Sequence, residues 1–430
     1  MSEPPSEIPS EAAAETRPDV LILGAGVIGL ACAWYLLESG RRVAVLDRGR
    51  VGGGASHGNC GTLTPSHSAP LAMPGMVLKA LRMMWRKDAP FHVAPRLDVE
   101  LLGWLARFAG RCNWRDFHAV NRAKAQILTH SRGLIGDLVA GQGMDCGFAA
   151  TGTLYVFREQ QALDGFGWHL DSLRAVGIPV EERTGAQLRA LEPCLRDEVI
   201  GGVFHPGDAQ LRPDRYVAEL ARLVREAGGV IVEDCAVEDF AVTGSRIDGV
   251  VTARGRYVAD EIVLALGAWS PPLARRLDLR IPLQPGKGYS ITYERPALAP
   301  RIPLVLREDS VCVTAWADGY RLGSTMEFAG YDETLNRLRL DALRRGAARY
   351  LREPEGPRVL EEWFGWRPMT WDDLPILGRS ARWDNLSLAT GHGMLGVSMS
   401  LASGQLVAEL LAGATPTLDP APYSPLRFHL

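Results

Sequence analysis

The 430-residue sequence lacks any pair of cysteines spaced C-x-x-C or C-x-x-x-x-C; Cys32, Cys60, Cys112, Cys146, Cys194, Cys235 and Cys312 are scattered and odd in number. That argues against a disulfide scaffold, a four-cysteine zinc site and a redox dithiol, and it fits a reducing, cytoplasmic setting. The nine histidines show no H-E-x-x-H or other ligand spacing, so no metal is expected. Basic residues number 47 against 50 acidic, which leaves no positive footprint for a nucleic acid. There is no internal repeat. The first 18 residues carry four glutamates and one arginine, so a cationic signal-peptide head is missing. Proline and glutamate there cannot bury a core, and residues 1–18 are expected to form a disordered leader. An apolar content of 47% and a charged content of 23% are ordinary for a globular chain, and the length suffices for two domains.

What is present is concentrated in Val20 to Asp47, V-L-I-L-G-A-G-V-I-G-L-A-C-A-W-Y-L-L-E-S-G-R-R-V-A-V-L-D. An apolar strand runs into Gly24, Gly26 and Gly29, then a helical stretch, then a second strand ending on an acid. Gly24 suits a tight strand-to-helix turn, Gly26 admits a pyrophosphate to the backbone, and Gly29 allows close helix–sheet packing. The helix N-terminus offers N–H donors to phosphate. Asp47, 18 residues beyond Gly29, is placed to accept ribose hydroxyls. Val20 to Leu37 is also an 18-residue run of apolar residues and glycines, near the length of a membrane span. Glycines two and three apart suit a turn better than a lipid-facing helix.

Beyond this unit come a glycine-rich loop (50–61), a mostly helical region (about 74–143), short strands with a helix at 167–176, and a helix at 215–227 stopped by Gly228 and Gly229. Residues 279–330 read as strands, 335–350 as a helix, and the last 65 residues as glycine-rich loop plus helix. The expected division is 19–110, 195–278 and 355–415 for a discontinuous nucleotide-binding domain, with 111–194 and 279–354 forming a second domain.

Three further segments carry chemistry. In A-S-H-G-N-C-G (55–61) the small residues let backbone approach a flat ligand, or form an ordinary glycine loop. L-A-L-G-A-W-S (264–270) places Gly267 at a strand end, against a ligand or in a buried bulge. G-W-R-P-M-T-W-D-D-L-P-I-L-G (365–378) precedes a loop with Gly391, Gly393 and Gly396 that opens an apolar helix. The N-terminus of that helix would offer donors to an electron-rich oxygen.

With P-S-x-S-A-P-x-A-x-P-G (65–75), K-x-A-P, L-E-P, K-G-Y-S (287–290), E-x-A-G-Y-D (327–332) and T-G-H-G-x-L-G in order from Asp19 to Gly413, the chain resembles the FAD-dependent D-amino acid oxidase superfamily. The resemblance is greatest to its bacterial D-amino acid dehydrogenase branch. It implies an α/β fold, α+β in its two-domain layout: a Rossmann-like FAD-binding domain interrupted by an antiparallel-sheet substrate domain. It implies non-covalent FAD held by Gly24, Ala25, Gly26, Val27, Ile28, Gly29, Asp47, Arg48, Ala55, Ser56, Asn59, Gly61, Thr62, Leu63, Val237, Ala265, Gly267, Trp269, Arg367, Gly391, His392, Gly393, Leu395 and Gly396. Cys60, Trp371 and His67 depart from the branch's pattern; His67 stands where an aromatic hydroxyl is usual.

The implied chemistry is oxidation of an amino acid at Cα, the hydride passing to flavin N5. A free carboxylate needs a fixed cation, and a guanidinium grips it through two parallel hydrogen bonds. Arg367 is the candidate, either as this clamp or as a structural arginine stacked on Trp363 or Trp366. Tyr289 could donate a phenol to the same carboxylate or sit half-buried in its strand. Arg321 is a second cation or an exposed strand residue, and His67 is a further candidate catalytic side chain. His57 and His392 fit loop packing and flavin contact better than base catalysis. A D-amino acid is expected, D-proline, hydroxy-D-proline and small apolar ones among them. An O2-using oxidase of amino acids or of secondary amines such as sarcosine shares fold and cofactor, and a non-catalytic FAD-binding partner protein is the remote alternative.

In P-G-M-V-L-K-A-L-R-M-M-W-R-K (74–87), helical spacing sets Lys79, Arg82 and Arg86 on one arc and Met76, Val77, Leu81, Met84 and Trp85 on a broad apolar face. Such a helix packs on the protein or lies in an anionic membrane surface, which would put the enzyme on the inner face of the cell membrane with a quinone as electron acceptor.

Overall fold

The computed structural model describes residues 17–78, 91–94 and 98–430. The 18-residue apolar run is broken into the strand Val20–Leu23, a turn and the helix Val27–Glu38. Among the described residues no helix is long and apolar enough to cross a membrane. The strand pairs in parallel with Val43–Leu46, Val20 facing Val43. Around this unit lies a six-stranded sheet in the order Ile376–Arg379, Leu386–Thr390, Glu261–Leu264, Val20–Leu23, Val43–Leu46 and Val230–Val232, parallel except at its 376–379 edge. The strands 20–23 and 43–46 are apolar throughout because both faces are covered. Val20, Ile22, Val43 and Val45 face a core shared with the helices 27–38, Pro213–Glu226 and Gly396–Ala412. Leu21, Leu23, Ala44 and Leu46 face the small sheet 237–257 and the 270–277 segment.

Backbones approach closely in this unit. Gly24 has φ +111°, and a Cβ there would sit 2.6 Å from Ala265 O; one on Gly29 would fall 1.8 Å from Gly24 O. Where the helix 396–412 crosses the helix 27–38, a Cβ on Gly404 would lie 2.5 Å from the backbone of Ala31.

A second, nine-stranded sheet runs Val359–Thr370, Leu283–Tyr293, Gly319–Phe328, Val311–Trp316, Leu304–Leu306, Thr153–Phe157, Gly201–His205 and Glu181–Thr184, with Phe91–Val93 pairing beside 319–328. It is antiparallel except at 304–306 with 153–157 and at 319–328 with 91–93. The strands 201–205 and 359–370, expected in the nucleotide-binding domain, pair in this sheet. We propose that the chain divides along the two sheets, with 359–370 on the side of the larger one.

One face of the larger sheet packs on the helix Arg337–Tyr350, with Tyr289, Ile291, Leu322, Leu304 and Leu154 meeting Leu340 and Leu343. The opposite face is fixed by register. Arg367 opposes Gly286, Ser290 opposes Gly323, Gly323 opposes Cys312, Cys312 opposes Val305, and Val305 pairs with Tyr155. Opposed residues share a face, so this row points away from the 337–350 helix. The region expected to be helical holds Val99–Arg111 and the 29-residue Trp114–Gln142, capped by the side chains of Asp98 and Asn113.

The crossing of the helices 27–38 and 396–412 gives a stability test. Gly404→Ala should lower stability by about 1–3 kcal/mol through overpacking, whereas Gly133→Ala, in the exposed interior of the 114–142 helix with open space around it, should raise it by about 0.5–1 kcal/mol. Thermal unfolding of the two variants beside the parent checks the opposite signs.

Candidate active site

A cavity of about 1030 Å³ lies between the two sheets. At one end its wall is Gly24, Gly26, Val27, Ile28, Asp47, Arg48, Ala55 and Ser56. The N-cap residue of the helix 27–38, Gly26, supplies no side-chain cap, and one first-turn donor, the Val27 N–H, goes to Ser56 Oγ at 3.2 Å. A Cβ on Gly26 would have only Ser56 Oγ near it, at 3.7 Å, so the floor is open to a phosphate group. Asp47 does more than face a ribose. Its carboxylate accepts the Ala25 N–H at 2.7 Å and the Gly49 N–H at 2.9 Å, tying together the turns on either side. A carboxylate has about four lone-pair sites, so acceptor capacity is left for hydroxyls. Arg48 lies 4.3 Å over the Trp269 ring, which meets Trp366 edge-on.

In the middle of the cavity the N-terminus of the helix 396–412 arrives behind Leu395, again without a side-chain cap. His392 lines the wall and shares a hydrogen bond with Ser403 Oγ at 3.0 Å; burial holds its pKa down to about 3. Thr64 Oγ1 is buried and has no partner among the described residues, although Thr64 also lines the cavity. An open glycine floor, two uncapped helix N-termini and an orphaned hydroxyl suit a dinucleotide carrying a flat ring system.

Of the residues expected at the cofactor, Asn59, Thr62, Ala265, Gly267, Gly393 and Gly396 also line the cavity. Ala25, Gly29, Gly61, Leu63, Gly391 and Val237 do not. A Cβ on Gly61 would strike Leu211 O at 2.0 Å, and one on Gly391 would strike Thr370 at 2.8 Å, so packing demands these glycines. Leu63 belongs to the core, and Val237 packs beneath the smaller sheet.

At the far end Arg367 crosses Gly288, its guanidinium 2.4 Å from where a Cβ would be. Its Nη1 donates to Thr325 O at 2.6 Å and its Nη2 to Ser324 O at 3.4 Å. Ser324 and Thr325 have φ of +129° and +53°, a distortion in the strand that aims these carbonyls at the guanidinium. With no carboxylate paired to it among the described residues, Arg367 faces the cavity as a partly buried cation. It is held by Gly288 and by carbonyls, and it does not stack on Trp366.

Two expected substrate contacts are corrected. Tyr289 lies on the opposite face of its strand from Gly288, and its hydroxyl donates to Glu327 Oε2 at 2.7 Å within the helix-side core. Its backbone alone can approach the ligand. Arg321 is neither exposed nor a cavity cation. It is 2% exposed, donates to His57 O at 3.0 Å and Asn59 O at 2.7 Å, and so clamps the 55–61 loop. His67 does line the cavity, with the Tyr155 hydroxyl 3.0 Å from its ring. Burial and the charges of Arg307, Lys124 and His205 hold its pKa down to about 3, so it is neutral and a weak base.

Two further features stand outside what the motifs led one to expect. Cys60 and Cys312 meet on the cavity wall; a Cβ on Gly323, the partner of Cys312 across the strands, would lie 2.5 Å from Cys60 Sγ. A hydrogen bond with Cys312, helped by Arg321 and Arg367, draws the Cys60 thiol below its usual pKa against the effect of burial. Arg307 also lines the cavity, and only the period-two spacing from Val305 could have placed it on that face. Among the described residues no group of three or more His, Cys, Asp and Glu is arranged to hold a metal.

These features suit a dinucleotide-binding oxidoreductase whose cavity has a cationic far end. The chain matches the family of FAD dependent oxidoreductases over residues 19–410, more than nine-tenths of its length, and it belongs to that family. It is an FAD-dependent enzyme. It is 34% identical over 408 residues to a D-amino acid dehydrogenase of Agrobacterium fabrum, covering 93% of this chain and 97% of that one. A D-amino acid dehydrogenase of Methylobacterium radiotolerans is 35% identical over 407 residues, covering 93% and 97%. Glycine oxidase from Geobacillus kaustophilus superposes with a TM-score of 0.77 at 25% identity, covering 95% of this chain and 98% of that one. L-proline dehydrogenase from P. horikoshii shares the fold, with a TM-score of 0.73 at 20% identity over 96% and 98%.

His57 shares a hydrogen bond with Glu361 at 2.8 Å, which raises its pKa and lowers that of Glu361. The pair's stabilisation is full below the unfolded histidine value of about 6.5 and fades as pH rises through the higher folded value. On the acid side it fades as pH falls through the depressed value of Glu361. Glu361→Gln should return the His57 titration toward its ordinary range, read by NMR of the imidazole protons; an unmoved titration would contradict the pairing.

Proposed function

We propose that the protein oxidises a free amino acid, of D configuration, at Cα to the imino acid, which water then hydrolyses, and that the electrons pass to a quinone-type acceptor. Arg367 carries this reading: a partly buried guanidinium with no anionic partner among the described residues faces the cavity at the end away from the glycine turn. The two dehydrogenase relatives support the substrate class. Gly24 to Ile28, Asp47, Arg48 and the loop 55–64 hold the dinucleotide, and Gly393 to Gly396 hold the ring. Bound FAD supplies a two-electron acceptor for the Cα hydride.

Arg367 has five N–H donors, and its two bonds to Ser324 and Thr325 leave others for the α-carboxylate. The carbonyl contacts fix the plane of the guanidinium before substrate arrives, so little ordering remains to be done on binding. His67 and His392, both held near pKa 3, stay neutral and do not compete with Arg367 for the carboxylate. The amine proton leaves to solvent. The helix N-terminus at Gly396, which has no side-chain cap, would favour negative charge on a ring held there. Because His57 is engaged by Glu361, we assign the flavin as non-covalent.

The test is anaerobic titration of the purified yellow protein with a D/L amino acid panel that includes proline and hydroxyproline. D-amino acids should bleach the flavin, and Arg367→Lys should keep acid-releasable FAD while kcat/KM falls about tenfold to a hundredfold. Flavin that no amino acid bleaches would overturn the assignment.

For the acceptor, reduced enzyme should react slowly with O2 and quickly with a soluble quinone; stoichiometric peroxide in air would make it an oxidase. Met76 and Val77 line the cavity, whereas Lys79, Leu81, Arg82, Met84, Trp85 and Arg86 lie outside the described residues. We keep the membrane contact of 74–87 as a proposal. Lys79→Glu with Arg82→Glu should weaken salt-sensitive binding to anionic vesicles, and binding indifferent to both changes would remove it.

A further inference from the structure

The cavity holds a second guanidinium that the chemistry above does not use. Arg307 follows the strand Leu304–Leu306, two residues beyond Val305, and so shares the cavity face with Val305, Tyr155 and Cys312. Its guanidinium stands 5.2 Å from the centre of the Tyr155 ring and 4.7 Å from that of Phe166. Those ring faces fix the guanidinium plane but do not neutralise the charge. Its Nε is buried and finds no acceptor among the described residues. The adjacent carboxylate is engaged elsewhere: Glu308 accepts the Arg158 and Glu159 N–H groups and the Tyr350 hydroxyl. A buried cation without a carboxylate or a full set of acceptors is costly. Such a group on the wall of a ligand cavity is positioned for an anion that comes with the ligand.

The spacing fits a particular ligand. Arg367 reaches across Gly288 to the carbonyls of Ser324 and Thr325 on the strand 319–328. From there the strand 311–316 is next and 304–306 follows it. Two strand spacings are about 10 Å, a gap that a four- or five-carbon diacid spans when a bidentate contact is added at each end. Cys312, on the intervening strand, leaves room for the carbon chain between them.

We propose that Arg307 receives a side-chain carboxylate, so that the preferred substrate is an acidic amino acid whose α-carboxylate lies on Arg367. This rests on the amino acid reading of the preceding subsection and narrows its substrate class. It replaces the expectation of an apolar or proline-like side chain.

The experiment uses FAD-loaded protein and two dead-end ligands, glutarate and butyrate, with dissociation constants read from the flavin difference spectrum. Glutarate should bind at least about tenfold more tightly than butyrate; Arg307→Met should remove about tenfold to a hundredfold of glutarate affinity and change butyrate by no more than about twofold. Arg307→Lys, which keeps the charge and loses the fork, should recover part of the loss and guards against a packing defect. In turnover, Arg307→Met should raise KM for D-glutamate or D-aspartate at least about tenfold more than it raises KM for D-alanine. Equal affinity for the two ligands, or an equal loss for both in Arg307→Met, overturns the proposal. If D-alanine and D-proline bleach the flavin and acidic amino acids do not, the inference falls and the amino acid reading stands. If glutarate binding depends on Arg307 while no amino acid bleaches the flavin, the anion site stands and the amino acid reading falls.

Discussion

The active site depends on the register of the nine-stranded sheet. Side chains alternate faces along a strand, and a slip of one residue would exchange the two faces completely. In the observed register Arg367, Cys312 and Arg307 face the cavity, while Tyr289, Ile291 and Leu322 face the helix 337–350. The apolar face sets the register, because moving it out of the core would expose an entire hydrophobic layer. The cations are therefore held in place by residues that never touch a ligand. Gly288 completes the arrangement by letting the Arg367 side chain lie flat across the neighbouring strand.

At the dinucleotide end the constraint is backbone proximity. Gly24, Gly29 and Gly404 sit where any Cβ would meet main-chain atoms within 2.6 Å, so the helices 27–38 and 396–412 pack against strand and against each other at the closest approach a chain allows. That closeness brings both uncapped N-termini to one cavity. Asp47 works in the same direction by drawing the Ala25 and Gly49 amides toward one carboxylate. The same local order serves packing and anion binding together.

Where the chemistry lies within a single local unit, the sequence was readable. The strand–turn–helix–strand of 20–47 and the loop opening the 396–412 helix follow from spacing alone, since each needs only neighbours within a few turns. What could not be read were choices made by distant partners. Tyr289 sits one residue from the cavity face, and nothing in K-G-Y-S says which face is buried. Arg321 was expected as a cation for substrate or solvent, but the carbonyls that hold it belong to residues more than 260 positions away. Cys60 and Cys312 share no motif, and only the strand pairing of 312 with 323 brings them together. Arg307 sits in V-L-R-E-D, where charged neighbours suggest an exposed turn, yet it continues a buried strand by one more pleat. Glycines at 61 and 391 were matched as ligand contacts, although their conformation and crowding are structural demands.

The electrostatics of the far end follow from these placements. Two guanidiniums in a low-dielectric cavity repel further protons, and the buried histidines register this: His67 and His205 are held near pKa 3, first by burial and next by Arg307. Imidazoles that stay neutral keep the positive charge confined to the arginines. They also remove a general base from the site, so protons must leave through solvent and not through a residue relay. A cavity end arranged in this way favours carboxylates over a cationic ligand, and burial, reinforced by Arg307, keeps the neighbouring imidazoles uncharged.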